Sequence, residues 1–97
     1  MATYVVLGKF TDQGLRAVKQ TTKRAEAARA AAKELGVTMR EVYWTQGQYD
    51  IVTLIDAPDE TALSAFELSL AGAGNVRLQT LRAFTKDEMD KILAKVV

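Results

Sequence analysis

The chain contains no cysteine and no histidine. Without cysteine no disulfide can form, which fits a reducing cytoplasm. Zinc, iron–sulfur clusters and histidine-ligated haem lose their usual ligands. Ser-His-Asp and Cys-His catalysis lose their base or nucleophile. The expectation is therefore no metal and no cofactor. Charge of one sign is also missing: 13 basic residues face 12 acidic ones. No strong field points to nucleic acid or to an anionic membrane. No apolar run approaches the roughly 20 residues of a membrane span, and the start has no basic segment leading into an apolar one. A soluble, cytoplasmic protein is the expectation.

What is present suits a single globular domain spanning residues 1–97, with 48% hydrophobic and 26% charged residues. A chain this short hides only about 60–70% of its unfolded surface, so its stability is modest unless it associates.

Thr3–Phe10, rich in β-branched and aromatic residues, reads as a first strand. Thr11 or Asp12 can cap a helix that weakens at Gln20-Thr21-Thr22 and resumes into an alanine-rich stretch ending at Gly36. That is one kinked helix or two abutting ones. Arg16, Lys19 and Lys23 form a basic stripe on it, an anion surface or, more plainly, a solvated face. Thr38–Gln46 and Tyr49–Asp56 read as two strands joined by a tight turn at Gly47-Gln48. A two-residue loop sets Trp44 opposite Ile51; a three-residue loop would swap the facing. Asp59 suits an N-cap, Leu63, Phe66 and Leu70 make an apolar stripe, and Gly72–Asn75 breaks the helix. Val76–Phe84 is a fourth strand. Thr85 and Glu88 then form a capping box for a terminal helix lined by Met89, Ile92, Leu93 and Val96.

The order β-α-β-β-α-β-α predicts an α+β fold: a ferredoxin-like βαββαβ antiparallel sheet with an extra C-terminal helix. Both long helices then cover one face. Yet both strand parities are apolar, Val5, Leu7, Ile51, Ile55 and Leu78 in one set and Val6, Val52, Leu54 and Leu81 in the other. A sheet wetted on one side alternates cleanly. The second face therefore needs a cover, and the same face of another copy is the simplest.

The hairpin corner is the best site candidate. Tyr43, Trp44, Gly47, Tyr49 and Asp50 bring aromatics, a flexible turn and a carboxylate together. Asp50 can hold a ligand amine or act as a base; its plainer role is to accept backbone N–H groups. The aromatics line a planar ligand or serve core and interface. Arg82, which shares a face with Thr80, can hold a carboxylate or form a rim ion pair with an acid such as Glu41. Some of Lys9, Glu41, Thr53, Thr80 and Arg82 can project into the interior between two paired sheets. Asn75 reads as turn chemistry. RNA recognition shares this element order but needs exposed aromatics on the third strand, and QYDIVTLI at Gln48–Ile55 has one aromatic followed by an acid.

The blocks TDQG at Thr11–Gly14, TQGQYD at Thr45–Asp50, DAPDE at Asp56–Glu60, GNVR at Gly74–Arg77 and TLRAF at Thr80–Phe84 resemble the GYD-domain family over nearly the whole chain. Gly47, Tyr49 and Asp50 match the Gly-Tyr-Asp tract, here with an intervening glutamine. The resemblance implies a dimeric α+β barrel, two ferredoxin-like sheets packed open face to open face. That superfamily includes cofactor-free monooxygenases, isomerases, haem enzymes and ligand-sensing domains of regulators. The fold cannot choose among them. The similar turn in the regulator domains makes Gly47, Tyr49 and Asp50 look like an effector-binding corner.

Three functions follow as expectations. The first is a homodimer binding a small aromatic or amphipathic molecule near the Gly47–Asp50 hairpin. The second is cofactor-independent oxygenase or isomerase chemistry through Tyr43, Tyr49, Asp50 or Arg82. The third is a structural oligomer whose assembly is its product.

Overall fold

A computed structural model describes all 97 residues. Strand β1 (Ala2–Phe10) is central, flanked by β3 (Ile51–Ala57) and β4 (Val76–Ala83), with β2 (Thr38–Trp44) on the far side of β3. Every pairing is antiparallel, in the order β2-β3-β1-β4. This is the ferredoxin-like arrangement. Helix α1 (Asp12–Arg16), a 3₁₀ turn (Val18–Gln20) and α2 (Thr21–Glu34) follow β1, so the long helical stretch is indeed broken. Helix α3 (Glu60–Gly72) connects β3 to β4, and α4 (Lys86–Leu93) ends the chain.

The helix starts are fixed by side chains. Thr11 accepts the Gly14 N–H, Asp59 accepts the Ala62 N–H, and Thr85 accepts the Glu88 N–H while the Glu88 carboxylate accepts the Thr85 N–H in turn. Each cap satisfies a donor that the helix itself leaves without a partner. Arg16, Lys19 and Lys23 are all exposed, as a solvated stripe requires.

Register decides which apolar residues face the helices. Val6 pairs with Thr53 on one side and Thr80 on the other, and Tyr4 pairs with Ile55. Tyr4, Val6 and Ile55 are buried under α2 and α3 with Val37, Leu63 and Phe66. The opposite face carries Val5, Leu7, Val52, Leu54 and Leu81, and no helix lies over it. The two expected sets are thus exchanged for β1. Counting parity within a strand does not set its phase against its neighbours. Both faces are nonetheless apolar, as expected.

Two sets of polar contacts fasten the elements, the first within the sheet and the second between α1 and the turn before β4. In β2 the register shifts between Met39 and Glu41, freeing Arg40 to meet Asp56 at 3.0 Å, while Thr3 donates to the same carboxylate at 2.8 Å. At the other end, α1 is pressed onto the turn before β4. The Thr11 N–H donates to the Asn75 carbonyl at 3.1 Å, and the Gln13 amide donates to the Ala73 carbonyl at 2.9 Å and the Asn75 side-chain oxygen at 3.1 Å. Gly14 is required there. A Cβ on it would lie 2.1 Å from the Asn75 carbonyl oxygen.

Candidate functional site

The hairpin between β2 and β3 is longer than the sequence suggests. Six residues, Thr45–Asp50, connect the strands, rather than a two-residue turn. The expected opposition of Trp44 and Ile51 is kept. Gly47 has φ +105°, a conformation that side chains with a Cβ rarely adopt. The loop closes on itself: the Thr45 N–H donates to the Asp50 carbonyl at 2.8 Å, and the Thr45 hydroxyl to the Tyr49 carbonyl at 2.7 Å.

Asp50 then ties the loop to β1. Its N–H donates to the Gly8 carbonyl at 2.8 Å, and its carboxylate accepts the Phe10 N–H at 2.9 Å. One acceptor and one donor at the end of β1, the Gly8 carbonyl and the Phe10 N–H, are satisfied this way. The hydroxyl of Tyr49 donates to Gln79 of β4. The polar atoms of this corner therefore serve the sheet.

Trp44, Gly47, Tyr49 and Asp50 stand at one end of the sheet. Tyr43 pairs with Val52 on the open face and is exposed. Trp44, its neighbour, pairs with Ile51 and lies on the helix side, where its indole N–H donates to the Thr21 hydroxyl at 3.0 Å. Arg82 is elsewhere. It pairs with Tyr4 near the opposite end of β1, stacks its guanidinium 5.6 Å from the Tyr4 ring and 4.6 Å from the Phe84 ring, and meets Glu88 at 3.1 Å. The rim ion pair exists, with Glu88 rather than Glu41. Lys9 and Glu41 lie on the open face; Thr53, Thr80 and Arg82 lie on the helix side. Thr80 donates to the Glu67 carboxylate of α3.

A feature absent from the sequence reading lies beside Thr21, the partner of the Trp44 indole. Only nine apolar side chains form the buried core, and a cavity of about 400 Å³ remains between α2, α3 and the sheet. Of its 23 lining residues, 16 are hydrophobic, so its walls suit an apolar guest. Helix α2 presents Thr21, Arg24, Ala25, Ala27, Ala28 and Ala31 to it, mostly at the three- and four-residue spacing of one helical face, and Leu35 just past its end completes the wall. The alanines read from the sequence as helix formers. In the fold, their small side chains also leave space where larger ones would fill the layer. No group of acidic residues is placed to hold a metal ion. No helix is long and apolar enough to cross a membrane.

A family model described as the GYD domain matches residues 4–93. The chain belongs to the GYD-domain family. Among curated proteins this GYD domain is similar to the glutamine synthetase and cystathionine beta-lyase binding protein of Thermus thermophilus, with 32% identity over 84 residues, 86% of this chain and 88% of that protein. Among solved structures it is similar to a crystal structure of the Thermus thermophilus protein TTHA0845. That likeness has a TM-score of 0.57 and 29% identity, and covers 88% of this chain and 95% of the other. In this GYD domain the motif blocks meet in space. TDQG supplies Thr11, Gln13 and Gly14 to the lock with Gly74 and Asn75 of GNVR, and TQGQYD supplies Asp50 to the end of β1. DAPDE supplies Asp56 to Thr3 and Arg40, and Asp59 to the start of α3.

Proposed function

We propose that this GYD-domain chain is a binding protein rather than a catalyst, one that pairs with a second copy and engages another protein as its partner. The observation that carries the reading is the uncovered apolar face. Val5, Leu7, Val52 and Leu54 are half-buried only by one another, and Leu81 and Tyr43 are exposed beside them. Leaving such a face in water forfeits about 25 cal/mol for each Å² that a partner would cover. The same face of a second copy matches it in shape and polarity, giving the barrel in which two sheets oppose each other. A two-fold contact of this kind is self-complementary.

Helix α4 supports a heterologous partner. Met89, Ile92 and Leu93 along α4 are exposed together with Phe84, as is Val96, which lies past the helix end rather than on its expected stripe, and α4 packs little against the rest of the chain. An amphipathic helix held out by its cap is a ready contact surface. The relative from Thermus thermophilus is named for binding glutamine synthetase and cystathionine beta-lyase. By analogy, these two enzymes from the same source organism are the partners to try first.

Sedimentation of the purified chain at micromolar concentration is expected to give a dimer. Leu54→Asp places an unpaired charge on the contact, at a cost of several kcal/mol, and is expected to give a monomer. Mixing with purified glutamine synthetase or cystathionine beta-lyase is expected to shift the chain to the enzyme's sedimentation rate. Removing residues 86–97 is expected to abolish that shift. A wild-type monomer of 10.6 kDa that leaves both enzymes unshifted sinks the proposal.

A second reading, a small molecule held near the hairpin, is favoured by the cavity beside Thr21, the partner of the Trp44 indole. Both readings make the chain a binder, and they use different surfaces.

A further inference from the structure

We infer that the cavity between α2 and α3 is a binding site for a linear aliphatic carboxylate, its chain lying along the alanine face of α2 and its carboxylate at Arg24. The inference rests on the small-molecule reading and names the ligand class for it. Shape supplies the first argument. From Thr21 to Leu35 the lining runs 14 residues along one helix face, about 20 Å at the helical rise per residue. A space of about 400 Å³ drawn out over such a length is slender, and suits a chain of roughly a dozen carbons better than a fused ring. The floor is mostly apolar, with Ile51, Val6 and Ile55 around the hydroxyl of Thr53, and the facing helix adds Phe66 and Leu70.

Charge supplies the second. Two charged residues line the cavity, Arg24 and Glu67. Glu67 is engaged, accepting the hydroxyl of Thr80 at the β4 side. Arg24 has no carboxylate within salt-bridge distance. It donates only to neutral carbonyls, those of Ala17 at 2.7 Å and Gly14 at 3.4 Å. A guanidinium has five N–H donors in a planar fork that matches a carboxylate. Thr21, one turn before Arg24 on the same face, adds a hydroxyl that already receives the Trp44 indole N–H. Arg24 and Thr21 thus stand one turn apart at one end of the groove, while Glu67 is held on Thr80 at the β4 side, leaving Arg24 as the lining charge without an ionic partner. Trp44 stands beside that end through its bond to Thr21, and as the only tryptophan it reports on occupancy.

The test is a titration with dodecanoate, kept below its micelle concentration, read by Trp44 fluorescence and by calorimetry. Dodecanol and dodecylamine serve as neutral and cationic counterparts. Dodecanoate is expected to bind with an affinity at least tenfold above either counterpart. Ala28→Leu, which adds bulk to the groove one turn from Arg24 and keeps its charge, is expected to abolish binding of all three. Arg24→Gln is expected to lower dodecanoate affinity about tenfold, to the level of dodecanol; its circular dichroism must match the wild type, because Arg24 also ties α2 to α1. Equal binding of the three amphipaths, unmoved by Arg24→Gln but lost in Ala28→Leu, overturns the carboxylate while leaving a small-molecule site. No binding of any of them, or binding that survives Ala28→Leu, overturns the site and the small-molecule reading together.

Discussion

The sheet has two faces of nearly equal apolar character, and the chain treats them differently. One is roofed by α2 and α3 and still leaves an open cavity beneath them. The other carries Val5, Leu7, Val52, Leu54 and Leu81 with nothing of the same chain above it. The polar residues of the motif blocks that mark the family tie elements of one chain to one another, Asp56 on the open face and the others at the edges of the roofed side. Gly14 and Asn75 clamp α1 to the start of β4, and Asp50 fastens the hairpin to Phe10. A signature that holds a monomer together explains how the fold is kept; it leaves the choice of partner to residues outside the signature. Activity is therefore hard to read from these motifs, because their chemistry is spent on backbone donors and acceptors.

The sharpest way to break the roofed side without touching the open one is Gly14→Ala. Alanine gains roughly 0.5–1 kcal/mol of helix propensity over glycine. Against that, the new Cβ would sit 2.1 Å from a backbone oxygen, which no rotamer can relieve. Separating α1 from the turn also strains the bonds from Thr11 to Gly74 and Asn75. A net loss of about 3 kcal/mol is expected, toward the upper end for overpacking. For a domain of this size that lowers the melting temperature by roughly 12 °C or more. An unchanged melting temperature would mean that the lock is not closed in solution. Leu54→Asp is the matching break on the other face, acting on the assembly.

Asp50→Asn sharpens the comparison at the hairpin, with a smaller effect. Asparagine keeps an oxygen for the Phe10 N–H but loses the charge that strengthens the bond. A loss of about 1 kcal/mol is expected, the usual net worth of one hydrogen bond. Dimerisation and amphipath binding should both persist, since the carboxylate serves the sheet. A variant of full stability that no longer binds any ligand would return the site to the corner.

Much of the fold was legible and little of the site was. Element order, the Asp59 cap and the Thr85–Glu88 box are local patterns, written within four residues of each other. The exchange of faces in β1 arose because phase between strands is set by pairings such as Val6 with Thr53, about fifty residues apart. The hairpin was drawn too short because Tyr49 and Asp50 have strand-like neighbours, yet use their groups to reach Gln79 and Phe10. The Gln13–Asn75 contact joins residues 62 apart, so neither motif announced the other. The cavity was invisible for a different reason. It is made by what Ala25, Ala28 and Ala31 lack, and missing volume leaves no pattern in a hydropathy profile.

The smallest expected effect concerns α4, the element that belongs to neither face. Glu88 has its pKa lowered from the ordinary 4.5, first by the Thr85 backbone N–H it accepts and next by the Arg82 guanidinium beside it. Its folded value lies below its unfolded one, so the stability it contributes is fully present above about pH 4.5 and lost as pH falls through the lower folded value. Acidification should therefore fray α4 before the sheet yields, seen as a partial loss of helical dichroism below that pH. The readout is a difference: Glu88→Gln keeps an acceptor for the Thr85 N–H, removes the titration, and should lose less helix on acidification than the wild type. Thr85→Ala should cost about 0.5–2 kcal/mol at neutral pH by deleting the other half of the box. If α4 lies against an enzyme partner, the complex should weaken over the same acidic range in the wild type and less so in Glu88→Gln. Identical acid profiles for the two proteins would show that the cap does not hold the helix out from the domain.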